Sequence, residues 1–171
     1  LEKPPPRPEH PWFAPDQPPV ILGAGELCSR QDFATLLRAF ARLRARRNCR
    51  LIVLGRGRQR AALIRQSEEL GVTQDVDFPG FVSEPQRFMA HAAAFALTSR
   101  WEGAPVVLIE AMSSGTPVVS TDCPGGSREI LGGGRLGPLV PIGNDRALDA
   151  ALEALLTNPP PRQQLQSAAR K

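Results

Sequence analysis

No run of about 20 apolar residues occurs in the 171-residue chain, so no segment is long enough to span a bilayer as a helix. The charged start and short apolar core of a secretory signal are missing as well. Cysteine is scarce, and Cys28, Cys49 and Cys123 are odd in number, widely spaced and form no Cys-x-x-Cys pair. That pattern argues against a disulfide framework or a zinc site, and favours a reduced, cytoplasmic setting with no metal. The two histidines, His10 and His91, fall in a proline-rich segment and on a helical stretch, and neither sits in a catalytic pattern. Aromatics are thin where basic residues are dense. Phe40 alone lies between Arg38 and Arg65, which leaves no base-stacking surface for nucleic acid. A dinucleotide fingerprint fails too, because Gly55-Arg-Gly57 meets Arg60 where a third glycine is needed.

What is present is the composition of a folded domain. Hydrophobic residues make up 42%, enough for one domain with a sizeable core. Residues 1–19 are crowded with prolines, Pro4-Pro5-Pro6 among them, and read as a lead-in or interdomain linker. Residues 20–171 are expected to form the domain proper. A chain that starts at Leu1 on such a segment looks like a piece of something longer. The net charge is +4, from 21 basic and 17 acidic residues. The arginines are expected to cover the wet side of two amphipathic helices, with an anionic membrane face as a further partner.

Short apolar runs alternate with helical patterns. Strands are expected at 20–24, 51–54, 76–78, 93–98, 117–120 and 139–142. Helices are expected at 32–47, from the second strand's loop to about 70, and at 84–91, 105–114, 127–131 and 145–156. In the first helix Leu36, Leu37, Phe40 and Leu43 share a face, and Asp32 fits its N-cap. The strands are continuous apolar runs, as in a sheet covered on both sides. This is the pattern of an α/β, doubly wound parallel sheet. Ligands then bind beyond the carboxyl ends of the strands, here at 23–31, 55–58, 80–82, 98–105 and 120–126, the stretches richest in Gly, Ser, Thr and charge.

The strongest motif is Ser99-Arg-Trp-Glu-Gly-Ala-Pro-Val-Val-Leu-Ile-Glu110, continuing to Gly115-Thr-Pro-Val-Val119. Glu102 lies in the loop after a strand and Glu110 on the following helix. Pro105 suits a first helical position, and Gly103 and Ala104 leave the helix start open to a phosphate. Paired carboxylates at such a crevice suit the recognition of sugar or ribose hydroxyls. Trp101 reads as a loop anchor rather than a sugar platform, and Glu129 as either a helix brace or a site residue.

This motif resembles the signature of the retaining glycosyltransferases of family four, and the resemblance covers most of residues 20–157. It extends to Gly25-Glu-Leu-Cys-Ser-Arg-Gln-Asp32, Gly55-x-Gly57, Pro79-Gly-Phe81 and Cys123-Pro-Gly-Gly-Ser-Arg-Glu129. It implies a Rossmann-like half of a GT-B fold, the C-terminal half that binds a nucleotide diphosphate sugar, with a UDP-sugar the expected donor. No cofactor and no metal are implied. Glu102 is implied as the catalytic-site carboxylate near the donor sugar, and Glu110 as the holder of the ribose hydroxyls. Phe81 and Val82 would border the nucleobase. Gly103, Ala104, Pro105, Val106 and Val107 would meet the diphosphate, with Gly25, Arg30, Gly55 and Gly57 completing the donor site. The implied reaction moves a sugar to an acceptor hydroxyl with retention. The acceptor, a glycan or lipid-linked glycan, would be held by a missing N-terminal half, at the inner face of a membrane.

The first loop departs from the family. Glu26 and Gln31 stand where an Arg and a Lys usually grip the donor phosphates. Each lost charge-assisted hydrogen bond costs about 1.5–3 kcal/mol. Arg30, Arg58 and Arg100 are the candidates to compensate. The alternative is a degenerate, weakly catalytic domain kept as a binding or scaffolding module. A sugar-nucleotide epimerase is disfavoured by the Glu102/Glu110 spacing with Gly115-Thr-Pro117.

Overall fold

A computed structural model describes residues 3–171; Leu1 and Glu2, the start of the expected lead-in, lie outside the described residues. The apolar runs become strands and the amphipathic ones helices. In chain order they are β1 (Val20–Ala24), α1 (Phe33–Arg44), β2 (Arg50–Leu54), α2 (Arg60–Glu69), β3 (Val76–Gly80), α3 (Pro85–His91) and β4 (Ala94–Leu97). Then come α4 (Val106–Ser113), β5 (Val118–Thr121), α5 (Ser127–Ile130), β6 (Leu139–Val140), α6 (Asp145–Thr157) and α7 (Arg162–Ala169).

The six strands form one sheet in the order β3-β2-β1-β4-β5-β6, and every pair is parallel. The order reverses between β1 and β4, so the connections diverge there and open a crevice above the strand ends. Both faces are covered. On one side Phe33, Leu36, Leu37, Phe40 and Leu43 of α1 pack with Leu63 of α2 and Leu148, Leu152 and Leu155 of α6. On the other, Phe88 and Met89 of α3, Leu108 and Met112 of α4 and Leu165 of α7 meet Leu22, Ile52 and Phe95.

Local chemistry sets the boundaries. Asp32 caps α1, accepting from the Thr35 amide at 3.4 Å and from the Thr35 hydroxyl at 2.8 Å. Asn144 caps α6 through the Ala147 amide at 2.9 Å. Pro105 lies one residue outside α4 rather than at its first position. Its φ of −78° and ψ of 65° form an inverse γ-turn in which the Val106 amide donates to the Ala104 carbonyl at 2.8 Å. Helix α7 has no counterpart among the expected elements. It follows Pro159-Pro160-Pro161 and buries only Leu165, too little apolar periodicity to read from the chain.

The proline-rich start is packed on the domain. His10 caps a short 3-10 turn, Pro11–Phe13, and its Nε2 lies 2.7 Å from Asp77. Phe13 is buried edge-on against Phe88, with ring centroids 5.6 Å apart, and Arg50 lies over Trp12. The Arg87 guanidinium donates to the Pro6 and Arg7 carbonyls, and His91 bonds the Pro5 carbonyl at 2.8 Å. Both histidines therefore sit in structural contacts. No helix among the described residues is long and apolar enough to cross a membrane.

Candidate functional site

The loops above the switch point are held together through their glycines. Gly55 has φ 126°, and a Cβ there would stand 1.9 Å from the Gly25 carbonyl oxygen. A Cβ at Gly57 would come within 2.4 Å of the Leu27 carbonyl oxygen. Across the crevice, the Glu102 amide donates to the Pro124 carbonyl at 2.9 Å. At Gly125, φ 121°, a Cβ would lie 1.7 Å from the Glu102 carbonyl oxygen. The glycines of the Gly-x-Gly and Cys-Pro-Gly-Gly motifs thus serve close backbone approach between loops.

Two adjoining hollows result, sharing Ala24, Gly25 and Pro85. One, about 340 Å³, is lined by Gln31, Glu102, Ala104, Pro105, Val106, Val107 and Glu110. The other, about 300 Å³, is lined by Glu26, Leu54, Gly55, Arg56, Phe81 and Val82. Larger hollows elsewhere hold none of these carboxylates. The crevice therefore has a polar end at the start of α4 and a flatter end where the Arg56 guanidinium lies 5.0 Å from the centre of the exposed Phe81 ring.

The two glutamates differ in their surroundings. Both Glu102 oxygens are engaged: Oε1 accepts from the buried Ser99 hydroxyl, and Oε2 from the Arg30 guanidinium at 3.1 Å. The Glu110 carboxylate makes no hydrogen bond or ion pair among the described residues. It is available to a ligand. Gln31 is only 6% exposed, beneath Gly25, whose missing side chain leaves room for its amide. The Thr98 hydroxyl donates to the Gln31 carbonyl at 2.7 Å, and the Arg100 amide to the Arg30 carbonyl at 2.8 Å, sewing the first loop to the Ser99–Glu102 loop.

Most of the expected site residues converge here: Glu102, Glu110, Gly25, Gly55, Phe81, Val82, Ala104, Pro105, Val106 and Val107 line the crevice. Arg30 joins through Glu102, while Gly57 braces the first loop and Gly103 stands beside the helix start, neither lining the hollows. Within 104–107, Pro105 has no N–H and the Val106 amide already serves the γ-turn, so fewer amides face the crevice than expected. Arg100 pairs instead with Asp32 at 3.5 Å, and Arg58 lines neither hollow. Trp101 does not anchor its loop by burial; the residue is 54% exposed. Glu129 borders a separate hollow with Ile109 and Leu136. Arg56 and Ser99 escaped the sequence reading. Arg56 sits between two motif glycines, which is a usable signal; Ser99 opens the glutamate motif but shows its role only through Glu102.

The arginine-rich face is not a free cationic patch. Arg42 pairs with Asp145 at 2.7 Å, Arg46 with Asp149 and Glu153 at 2.8 and 3.5 Å, Arg47 with Glu153 at 3.7 Å and Arg44 with Asp75 at 3.1 Å.

A doubly wound parallel sheet with a two-ended crevice at its switch point is the nucleotide-binding type of α/β domain. Residues 9–171 match the family described as glycosyl transferases group 1, and the chain belongs to that family. It is 35% identical over 136 residues to the Campylobacter jejuni N-acetylgalactosamine-N,N'-diacetylbacillosaminyl-diphospho-undecaprenol 4-alpha-N-acetylgalactosaminyltransferase, covering 80% of this chain and 37% of that protein. It is 32% identical to the Rhizobium meliloti lipopolysaccharide core biosynthesis glycosyltransferase LpsE, covering 84% of this chain and 41% of that protein. Among solved structures, the apo lipopolysaccharide outer core galactosyltransferase WaaB superposes with TM-score 0.82 at 28% identity, over 96% of this chain and 46% of that one. Anabaena Alr3699/HepE, solved in complex with UDP and glucose, superposes with TM-score 0.78 at 25% identity, over 89% and 41%. The fold is that of a GT-B glycosyltransferase domain, and the chain spans about two fifths of the length of the curated relatives it matches.

Proposed function

We propose that this chain is the donor-binding half of a retaining glycosyltransferase that takes its sugar from a UDP-sugar without a metal. The observation that carries this reading is the two-ended crevice: a free carboxylate, Glu110, and a held one, Glu102, flank the start of α4, with the Arg56–Phe81 pair at the far end. In this reading the nucleobase lies along Phe81 and Val82, and Glu110 accepts from the two ribose hydroxyls. The helix start with Ala104 and Val107 faces the diphosphate, and Glu102 stands beside the donor sugar. The positive end of α4 and Arg30 would supply the field a metal otherwise gives. The presence of UDP and glucose in HepE supports the donor class, and the undecaprenol-linked substrate of the Campylobacter relative supports a lipid-linked or glycan acceptor. That acceptor would be bound by a further half of the protein, in the cytoplasm. The paired arginines of α1 lend no support to membrane attachment by that face.

Calorimetry of the chain with UDP, GDP and ADP tests this. UDP should bind, and Glu110→Ala should weaken it about 10- to 100-fold, the loss of about 1.5–3 kcal/mol of charge-assisted hydrogen bonding. Absence of binding by every nucleoside diphosphate would sink the reading.

A second reading is favoured by one observation. Glu26 and Gln31 contribute no positive charge to the crevice, and Arg30 is already bonded to Glu102. On that reading the domain is a weakly catalytic binding or scaffolding module. Sugar transfer by the full-length protein to any acceptor would decide against it.

A further inference from the structure

The polar floor of the crevice contains a proton-counting problem. The Ser99 hydroxyl has one proton and two neighbours that would accept it: Glu102 Oε1, at very short range, and the Gln31 amide oxygen at 3.1 Å. A carboxylate oxygen is the stronger acceptor, and the other oxygen of Glu102 is taken by the Arg30 guanidinium. With the proton given to Glu102, Ser99 turns a lone pair towards Gln31. An amide oxygen facing that lone pair is repelled, whereas an amide N–H is bound. The two ends of the Gln31 amide are alike in shape and exchange by rotation about the last side-chain bond, and both lie 3.1 Å from where a Gly25 Cβ would stand.

We infer that Gln31 donates through Nε2 to Ser99 and turns its carbonyl oxygen into the crevice, where it reads a hydroxyl of the donor sugar rather than gripping the phosphates. The chain of donors then runs from the Gln31 N–H to the Ser99 hydroxyl and on to Glu102, with Arg30 closing it from the far side. The Ser99 proton then has a single acceptor, Glu102, and the Gln31 carbonyl oxygen is left for the ligand as an uncharged acceptor. A phosphate presents only acceptors and would be turned away by that oxygen; a sugar hydroxyl would be bound by it. Although Gln31 is only 6% exposed, the end of its amide that makes no protein hydrogen bond is not sealed off, and it is open to a ligand in the hollow that the residue lines.

This inference rests on the proposal that the crevice holds a nucleotide sugar, and one experiment separates the two. The affinities of UDP and of UDP-glucose, UDP-galactose and UDP-N-acetylglucosamine are measured for the unmodified chain, Gln31→Met and Gln31→Lys, with unfolding curves to establish that each is folded. Gln31→Met should weaken the preferred UDP-sugar about tenfold relative to UDP, leaving UDP itself within about twofold. Gln31→Lys replaces the acceptor with a cationic donor and should do the reverse, shifting the preference from the UDP-sugar towards UDP. Equal losses of UDP and UDP-sugar in Gln31→Met, or an unchanged ratio between them, would overturn the sugar-reading role while leaving the donor site intact. Failure of the unmodified chain to bind UDP or any of the sugars would overturn the donor site itself, and this role with it.

Discussion

At the scale of single residues, the crevice depends as much on what is missing from side chains as on what they carry. Glu102 is positioned by Ser99 and Arg30, yet its backbone is placed by Gly125, which has no Cβ to meet the Glu102 carbonyl oxygen 1.7 Å away. Gly125→Ala must therefore displace the Glu102 loop and also force an L side chain to φ 121°. Overpacking and backbone strain of this kind cost about 1–3 kcal/mol each, so a clear fall in the urea midpoint and a loss of UDP affinity are expected together. Stability unchanged in the alanine variant would mean that the two loops are not in contact in solution. The glutamate pair was legible in the sequence because its spacing, its loop-then-helix setting and its glycines agree. The Arg30–Glu102 pair was not, since 72 positions separate the partners and no local pattern links them. Nor was the exposure of Trp101, because an aromatic residue's size says nothing about which loop face it leaves.

At the scale of elements, α1 and α6 show how charge was read correctly in place but not in partnership. The heptad-like apolar face of α1 was visible, and its arginines do fall outside the core. The partners of Arg42, and of Arg46 and Arg47 just beyond the helix, lie about a hundred residues on, along α6, where Asp145, Asp149 and Glu153 form an acidic row. Arg42 donates to Asp145 at 2.7 Å and holds that carboxyl below the usual carboxylate range; this bond is the main cause, and residual burial opposes it. A folded-state value below the unfolded one gives stability that is present above the ordinary carboxylate pKa and lost as pH falls through the lowered one. Asp145→Asn should thus destabilise the chain at neutral pH and cost nothing once both forms are protonated, well below about pH 4. Because the pair is partly open to solvent, the neutral-pH difference should be about 0.5–1 kcal/mol, and smaller in salt. Paired urea titrations at neutral and acid pH measure it, and a difference that persists undiminished at acid pH would assign the effect to packing. Helix α7 marks the opposite limit. One buried leucine in eight residues leaves no periodic signal, and only the surface offered by α4 selects that segment as a helix.

For the molecule as a whole, the strand-helix alternation was enough to recover the sheet, because each βα step buries its own apolar run and only right-handed crossovers return it to the same sheet. What it left open was how the ends are joined to it. Proline density argues against an α-helix in residues 1–19, and residues 3–19 form none beyond the short 3-10 turn Pro11–Phe13, but composition is silent on whether such a stretch stands away from a domain or lies on it. Here it is held by Phe13 against Phe88, Trp12 beneath Arg50 and His10 to Asp77, and by its Pro5, Pro6 and Arg7 carbonyls bonded to His91 and Arg87. Removing residues 1–14 would uncover the Phe88 edge of the core and leave the Asp77 carboxylate without its histidine. The loss of one buried phenylalanine alone corresponds to about 3–5 kcal/mol, a large fraction of the stability of a domain this size. A chain beginning at Pro15 should therefore unfold at a markedly lower urea concentration, while UDP affinity is kept wherever the shortened chain is folded, because residues 3–14 line neither hollow of the crevice. An unfolding midpoint equal to that of the full chain would instead show that the segment adds nothing to the domain's stability.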